Sequence, residues 1–273
     1  MDIRITHALP AEAGSGPVTV GWLLDVARGA VVYDAPARVR PGEMSRTHAK
    51  SASRCPAILN LESRYIEVKC PFDLRLGFVR DKEGRPGLRN LLGPASPVRS
   101  NKLADLMHMV NEAEWRHPDR PTLQMRLPYV FVADEPVYLS QVAPFMHYRA
   151  EPWPGTLFGG RFPIDVWPRP LMWAFEWHDT EKELRLVRGE PLFYCQFETL
   201  PPDRPFRLVE AERTPELDDY LEHISGAVSF VNQTFSLFRT AGERRPERLV
   251  VPRKRCKHPP KAAGYFRLSS VSG

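Results

Sequence analysis

Prolines cut this chain into short pieces. There are 28 of them in 273 residues, about twice the usual ~5% share. A proline inside a helix removes a backbone hydrogen bond and clashes with the preceding turn, so long unbroken helices are disfavoured. The pieces between the prolines alternate. Phe72, Leu74, Leu76 and Phe78 are separated by Asp73, Arg75 and Gly77, the period-two pattern of a half-buried strand. The same reading makes strands of 64–69, of the alternating Leu123, Met125 and Leu127, and of Tyr129 to Val132 and Val137 to Val142. It extends to Phe145 to Tyr148, to Leu184 and Leu186, to Leu192 to Phe197 and to Phe206 to Val209. Leu171, Trp173, Phe175 and Trp177 share one strand face, which reads as core. Ile3 to Ile5, Val18 to Val26 and Ala30 to Tyr33 read as strands or extended arms, and Arg80 to Arg99 as a long loop rich in Gly, Pro and charge.

Two segments read as helices. Ser100-Asn101 can cap a helix over about 102–112, with Leu103, Leu106, Met107 and Val110 on one face. The second is stronger: Thr214 suits the N-cap, Pro215 the first turn and Glu216 the positive end of the helix dipole. Leu217, Tyr220, Leu221, Ile224, Val228, Val231 and Phe235 form its apolar stripe, and it should run to about 238 and pack on a sheet. Many strands in succession with two helices predict a mainly β fold of α+β class, an antiparallel β-sandwich or barrel with two flanking helices. Strands and helices do not alternate, which argues against a doubly wound parallel sheet. The expected organisation is one β-rich domain over 1–238 and a basic, flexible tail over 239–273.

That tail carries the charge. From Arg239 onward ten basic residues face only Glu243 and Glu247, a net +8, so residues 1–238 hold −3 of the overall +5. A mildly acidic body does not attract phosphate backbones. Nucleic-acid binding is therefore expected only weakly, through the tail cluster Arg253-Lys254-Arg255-Cys256-Lys257. The other partners to expect are a small molecule or a protein. No stretch approaches the ~20 apolar residues of a membrane span, and the start lacks the basic and apolar regions of a secretory signal, so the expected location is the cytoplasm. Cys55, Cys70, Cys195 and Cys256 form no CxxC pair; Cys55 and Cys70, each before a proline, read as small hydrophobes at strand ends.

Strong catalytic motifs are missing: no GxSxG, Walker loop, GxGxxG after a strand, or HExxH. The sequence names no cofactor. His147, Asp165 and His178 come from different parts of the strand-rich half, and could assemble the two-histidine, one-carboxylate iron site of a β-barrel oxygenase. The aromatic residues say more. Trp153, Trp167, Trp173 and Trp177 fall in one 25-residue segment, and aromatic faces bind sugar rings and bases by stacking. Trp153 and Trp167 sit in proline turns, where they could line a cleft mouth with Asp165, Arg161 and Arg169. Glu190, in Gly189-Glu190-Pro191, reads as turn chemistry or as a ligand contact.

These turns carry a resemblance. The relevant segments are Arg54-Cys55-Pro56, Asn60, Tyr65-Ile66-Glu67-Val68 and Pro71, then Gly155-Thr156-Leu157-Phe158 and Ile164-Asp165-Val166-Trp167-Pro168. Leu171-Met172-Trp173-Ala174-Phe175-Glu176-Trp177 and Val187-Arg188-Gly189-Glu190-Pro191-Leu192-Phe193 complete them. In this order they resemble a family of uncharacterised bacterial and phage proteins that pair an Arg-Cys-(Leu)-Pro segment with a Trp-Xaa-Pro turn, an aromatic strand and a Gly-Glu-Pro turn. The likeness covers roughly residues 50–200. The chain departs from the pattern by lacking a Leu between Cys55 and Pro56, and by having Val166 between Asp165 and Trp167. The resemblance implies no catalytic residues. Gly189 before a strand ending in Gln196-Phe197 is similar to the closing strand of dUTPase-type β-barrels, and implies a barrel only by analogy. Three functions follow as expectations: a small-molecule or carbohydrate-related binding protein or enzyme with an aromatic cleft, an interaction or assembly protein using its basic tail, and a non-haem metal oxygenase.

Overall fold

A computed structural model describes residues 16–26, 33–39, 54–202, 204–230 and 234–253. It is mostly β, with three sheets and four α-helices among the described residues, and no sheet closes into a barrel. The largest sheet runs in the order β14 (Phe206–Glu210), β1 (Val18–Leu24), β7 (Thr122–Ala133), β11 (Pro170–Trp177), β9 (Gly155–Leu157), with β6 (Met107–Met109) added to β7. The second runs β10 (Gly160–Pro163), β8 (Tyr138–Val142), β13 (Pro191–Glu198), β3 (Tyr65–Lys69), β2 (Ala37–Arg38). The third joins β12 (Leu184–Leu186), β4 (Leu74–Arg80) and β5 (Pro86–Asn90). The pairing is antiparallel except for β1 with β14, which is parallel.

One core unites the sheets. Trp173, Phe175 and Trp177 are fully buried, as their alternation predicts. Trp173 and Phe175 stack with centroids 5.3 Å apart, and Phe131 of β7 meets Phe197 of β13 edge-on at 5.3 Å. Gln141 on β8 donates to the Met172 carbonyl of β11 at 2.8 Å, a polar stitch across the two larger sheets. The outer face of the first sheet is covered too. Leu23, Val130 and Val132 pack against Leu217, Tyr220 and Ile224 of α3 (Pro215–Phe230). The Thr214 cap is made as expected, its hydroxyl accepting from the Leu217 N–H at 3.2 Å.

Several expectations are corrected. The helix over 102–112 shrinks to α2 (Leu103–Leu106), because from Met107 the chain extends and pairs with β7. The same apolar spacing that suits a helix also seats Leu103 and Met107 in the core from a turn followed by a strand. The loop over 80–99 contains β5, a hairpin partner of β4. Its turn is built by Gly84 at φ +79° and by Asp81, whose carboxylate accepts from the Glu83 and Arg85 amides. Phe145 to Tyr148 is a turn, with His147 N–H bonded to the Pro144 carbonyl. Cys55 caps α1 (Pro56–Ser63) instead of ending a strand. Leu123–Leu127 and Tyr129–Val132 form one strand through Pro128, which falls between the stretches of β7 that pair with β6 and β1. There it keeps one bond, its carbonyl accepting from the Asp25 N–H at 2.7 Å, and the donor it lacks falls at the very end of the pairing with β1. Ile3 to Ile5 lies outside the described residues.

The C-terminal stretch also differs. α3 spans Pro215–Phe230 and α4 spans Thr234–Gly242. Ala241, Leu249 and Val250 are buried, and Pro252 bridges Ala211. Asp134 accepts from the Leu249 and Val250 amides at 2.6 and 3.0 Å. Residues 239–253 thus belong to the packed body; residues 254–273, with most of the basic cluster, lie outside the described residues. No helix among the described residues is long and apolar enough to cross a membrane.

Candidate functional site

The turn between β10 and β11 is held from two sides. Tyr220 of α3 donates its hydroxyl to the Val166 carbonyl at 2.7 Å, and Arg245 donates to the Asp165 carbonyl at 2.6 Å. The Trp167 ring sits edge-on to Phe162 at 5.7 Å and against Phe238 at 5.3 Å. Arg169 lies over its face, 4.7 Å from the ring centroid. A rigid aromatic platform therefore presents a guanidinium.

That guanidinium faces a cleft of about 630 Å³ between α3 and the outer surface of β7 and β11. The volume lies within the ~300–1,000 Å³ usual for small-molecule sites. Met172 and Ile224 supply apolar wall; Arg126 and Arg213 line it with Asp25 and Asp218. Those four charges satisfy one another. Asp25 accepts from Arg126 and from Arg213, each at 3.1 Å, and Arg213 also reaches Asp218 at 2.5 Å. Arg169 is different: it makes no hydrogen bond or ion pair with any described residue. Burial, and secondarily repulsion from Arg126, pull its pKa below the usual arginine value. The Trp167 indole N–H is buried and has no acceptor among the described residues. A second cavity of about 280 Å³ adjoins the first, sharing Trp167, Arg169 and Met172.

The expected residues are only partly brought together. Trp167 and Arg169 meet at the cleft, but the Trp167 ring is enclosed by Arg169 and the two phenylalanines and does not offer an open stacking face. Asp165 lies behind the turn, where burial raises its pKa. Trp153 is elsewhere, edge-on to Trp173 at 5.7 Å, with its indole N–H given to the Arg185 carbonyl at 2.9 Å. It forms part of the core wall. Glu190 keeps company with Trp153, not with the cleft: Arg149 lies 4.0 Å over the Trp153 ring and 3.3 Å from the Glu190 carboxylate. Arg161 is tied to Glu198 at 2.8 Å, with its guanidinium over Tyr138.

The metal triad does not assemble. His147 faces Glu190 at 3.6 Å, His178 faces Glu176 at 2.9 Å, and Asp165 has neither histidine as a neighbour. Among the described residues, no group of three or more His, Cys, Asp or Glu could hold a metal ion. Another cavity of about 630 Å³, between the third sheet and the segment around 151, has its arginines paired: Arg75 with Glu183 at 2.6 Å and Arg185 with Glu151 at 3.2 Å.

Sequence reasoning missed Arg126, Arg213 and Asp25. A signal for Arg126 existed: Leu123, Met125 and Leu127 point inward, so Arg126 must point out, and its register partner is Met172. Nothing local marks Asp25 and Arg213, which meet across 188 residues. Comparison with known proteins finds no matching family model, no curated relative and no similar solved structure.

Proposed function

We propose that this protein binds a small molecule in the cleft between α3 and β11. The observation that carries the reading is Arg169: a half-buried charge held on a rigid ring, facing a ligand-sized cavity, with no hydrogen-bond or ion-pair partner among the described residues. Burying a charge without a partner is costly, and this cost is retained where a ligand supplies the missing partner. Trp167 serves as the platform for that charge, which favours polar recognition over stacking of a sugar ring.

A fragment screen by ligand-observed NMR tests it. Fragments that bind the wild-type chain should lose binding to Ser225→Phe, which fills the cleft from α3. Hits indifferent to that substitution would place binding elsewhere and end the reading.

A second reading, an interaction protein, is favoured by a different observation. Phe145 and Tyr148 are 56% and 86% exposed in one turn, and large exposed aromatics are enriched at protein interfaces. The basic cluster at 253–257 would add weak, salt-sensitive contacts.

A further inference from the structure

We infer that the ligand of this cleft carries a compact oxyanion, a carboxylate or a phosphate monoester, which docks on Arg169 beside the Trp167 indole N–H. The inference rests on the small-molecule reading and narrows its chemistry.

The argument counts donors and acceptors. Arg169 brings a planar fork of N–H donors and cannot accept. The Trp167 indole adds a donor that is buried and unsatisfied. Both belong to the same short turn and both line both cavities. Two of the cleft's three carboxylates are engaged elsewhere: Asp25 holds Arg126 and Arg213 and Asp218 holds Arg213; the third, Glu222, is exposed on α3 and makes no ion pair with Arg169. The turn is thus rich in donors and short of acceptors. A neutral hydroxyl would satisfy one donor and leave the guanidinium charge unmatched. A carboxylate or phosphate offers two oxygens in the spacing of the guanidinium fork, and returns the charge. Arg126 on the neighbouring strand lines the same cleft and places a second guanidinium there, shared with Asp25. The apolar wall of Met172 and Ile224 suits the carbon body of such a ligand.

Calorimetric titration of the full chain with benzoate, with inorganic phosphate and with the uncharged analogue benzamide, at matched ionic strength, separates the outcomes. Benzoate or phosphate should bind saturably, with affinity falling about tenfold to a hundredfold in Arg169→Gln, the usual loss of a charge-assisted pair. Arg85→Gln, on the distant β4–β5 turn, should leave it unchanged. Preference between the two anions tells carboxylate from phosphate. Should Arg169→Gln fail to fold, the wild-type Trp167 indole N–H resonance replaces it, and must shift with the anion and not with potassium chloride. Binding undiminished in Arg169→Gln, or leaving the Trp167 resonance still, overturns the inference. Benzamide or another uncharged fragment moving that resonance while neither anion does also overturns it, but leaves the small-molecule reading standing. If neither class moves it, both fail.

Discussion

Replacing Gly155 by alanine should be among the most damaging single-methyl changes available to this protein. Gly155 begins β9 and pairs with Trp177. A Cβ there would lie 2.0 Å from the Glu176 carbonyl oxygen, 2.7 Å from Phe175 Cζ and 3.0 Å from the Glu176 carbonyl carbon. Two of the three obstacles are backbone atoms of a central, buried strand, so β9 must withdraw. Withdrawal strains the pairing of Thr156 with Glu176. It also strains the bonds from the His178 and Asp179 amides to the Pro154 carbonyl, at 2.9 and 3.1 Å. Overpacking of a core typically costs ~1–3 kcal/mol, and each weakened backbone bond about 1 kcal/mol more. The sum, roughly 3–5 kcal/mol, is a large part of the ~5–15 kcal/mol that holds a typical domain folded. Urea unfolding followed by tryptophan fluorescence reads it, and the midpoint should fall by at least ~1 M. Gly160→Ala is the control, because a Cβ there meets nothing within 4 Å, and it should stay within about 0.5 kcal/mol of wild type. Gly21→Ala should fall between, since its nearest neighbours at 2.9 to 3.2 Å are side-chain atoms of Val132, Ala211 and Val250. Equal midpoints for Gly155→Ala and Gly160→Ala would refute the placement of β9 against β11.

Other outcomes follow from the same packing. Trp153→Ala should cost about 2–4 kcal/mol by urea unfolding, since the ring is wedged against Trp173 and Phe175; a neutral effect would return it to a surface role. Burial pushes the Cys70 thiol up to about 12 and raises Cys195 as well, so peptide mapping after brief alkylation at neutral pH should find Cys55 labelled well before either. Burial raises the Asp165 pKa, so the native state holds its proton more tightly than the unfolded chain does. Its contribution should therefore fall as pH rises from the ordinary aspartate range through the native value. Asp165→Asn should remove that slope in unfolding curves between pH 3 and 7, and raise stability at neutral pH. Neutralising Lys254, Arg255 and Lys257 to glutamine should abolish any weak nucleic-acid binding seen by fluorescence anisotropy at low salt; binding that persists would move it onto the body.

The legible parts of the sequence were those where one signal had one cause. Leu171, Trp173, Phe175 and Trp177 alternate because one face of β11 is sealed in the core, and Thr214-Pro215-Glu216 starts a helix by local chemistry alone. Met107 is ambiguous in sequence because an apolar residue four positions after Leu103 fits a helix face and an edge strand equally, and only the open flank of β7 decides between them. Charge misled near the C-terminus. Arg245 is basic and next to proline, yet it is held by the carbonyls of Asp165 and Asp134, partners 80 and 111 residues away. The site was half legible for the same reason. Trp167 and Arg169 stand two apart in one turn, whereas Arg126 on β7 and Asp25 just past the end of β1 are brought to the cleft by the tertiary fold alone.

Anomalous diffraction from crystals soaked in 4-bromobenzoate tests the central claim most directly. The account predicts a bromine peak inside the cleft between α3 and β11, with the carboxylate on the Arg169 guanidinium. A well-occupied peak elsewhere on the molecule, with the cleft vacant, would contradict it.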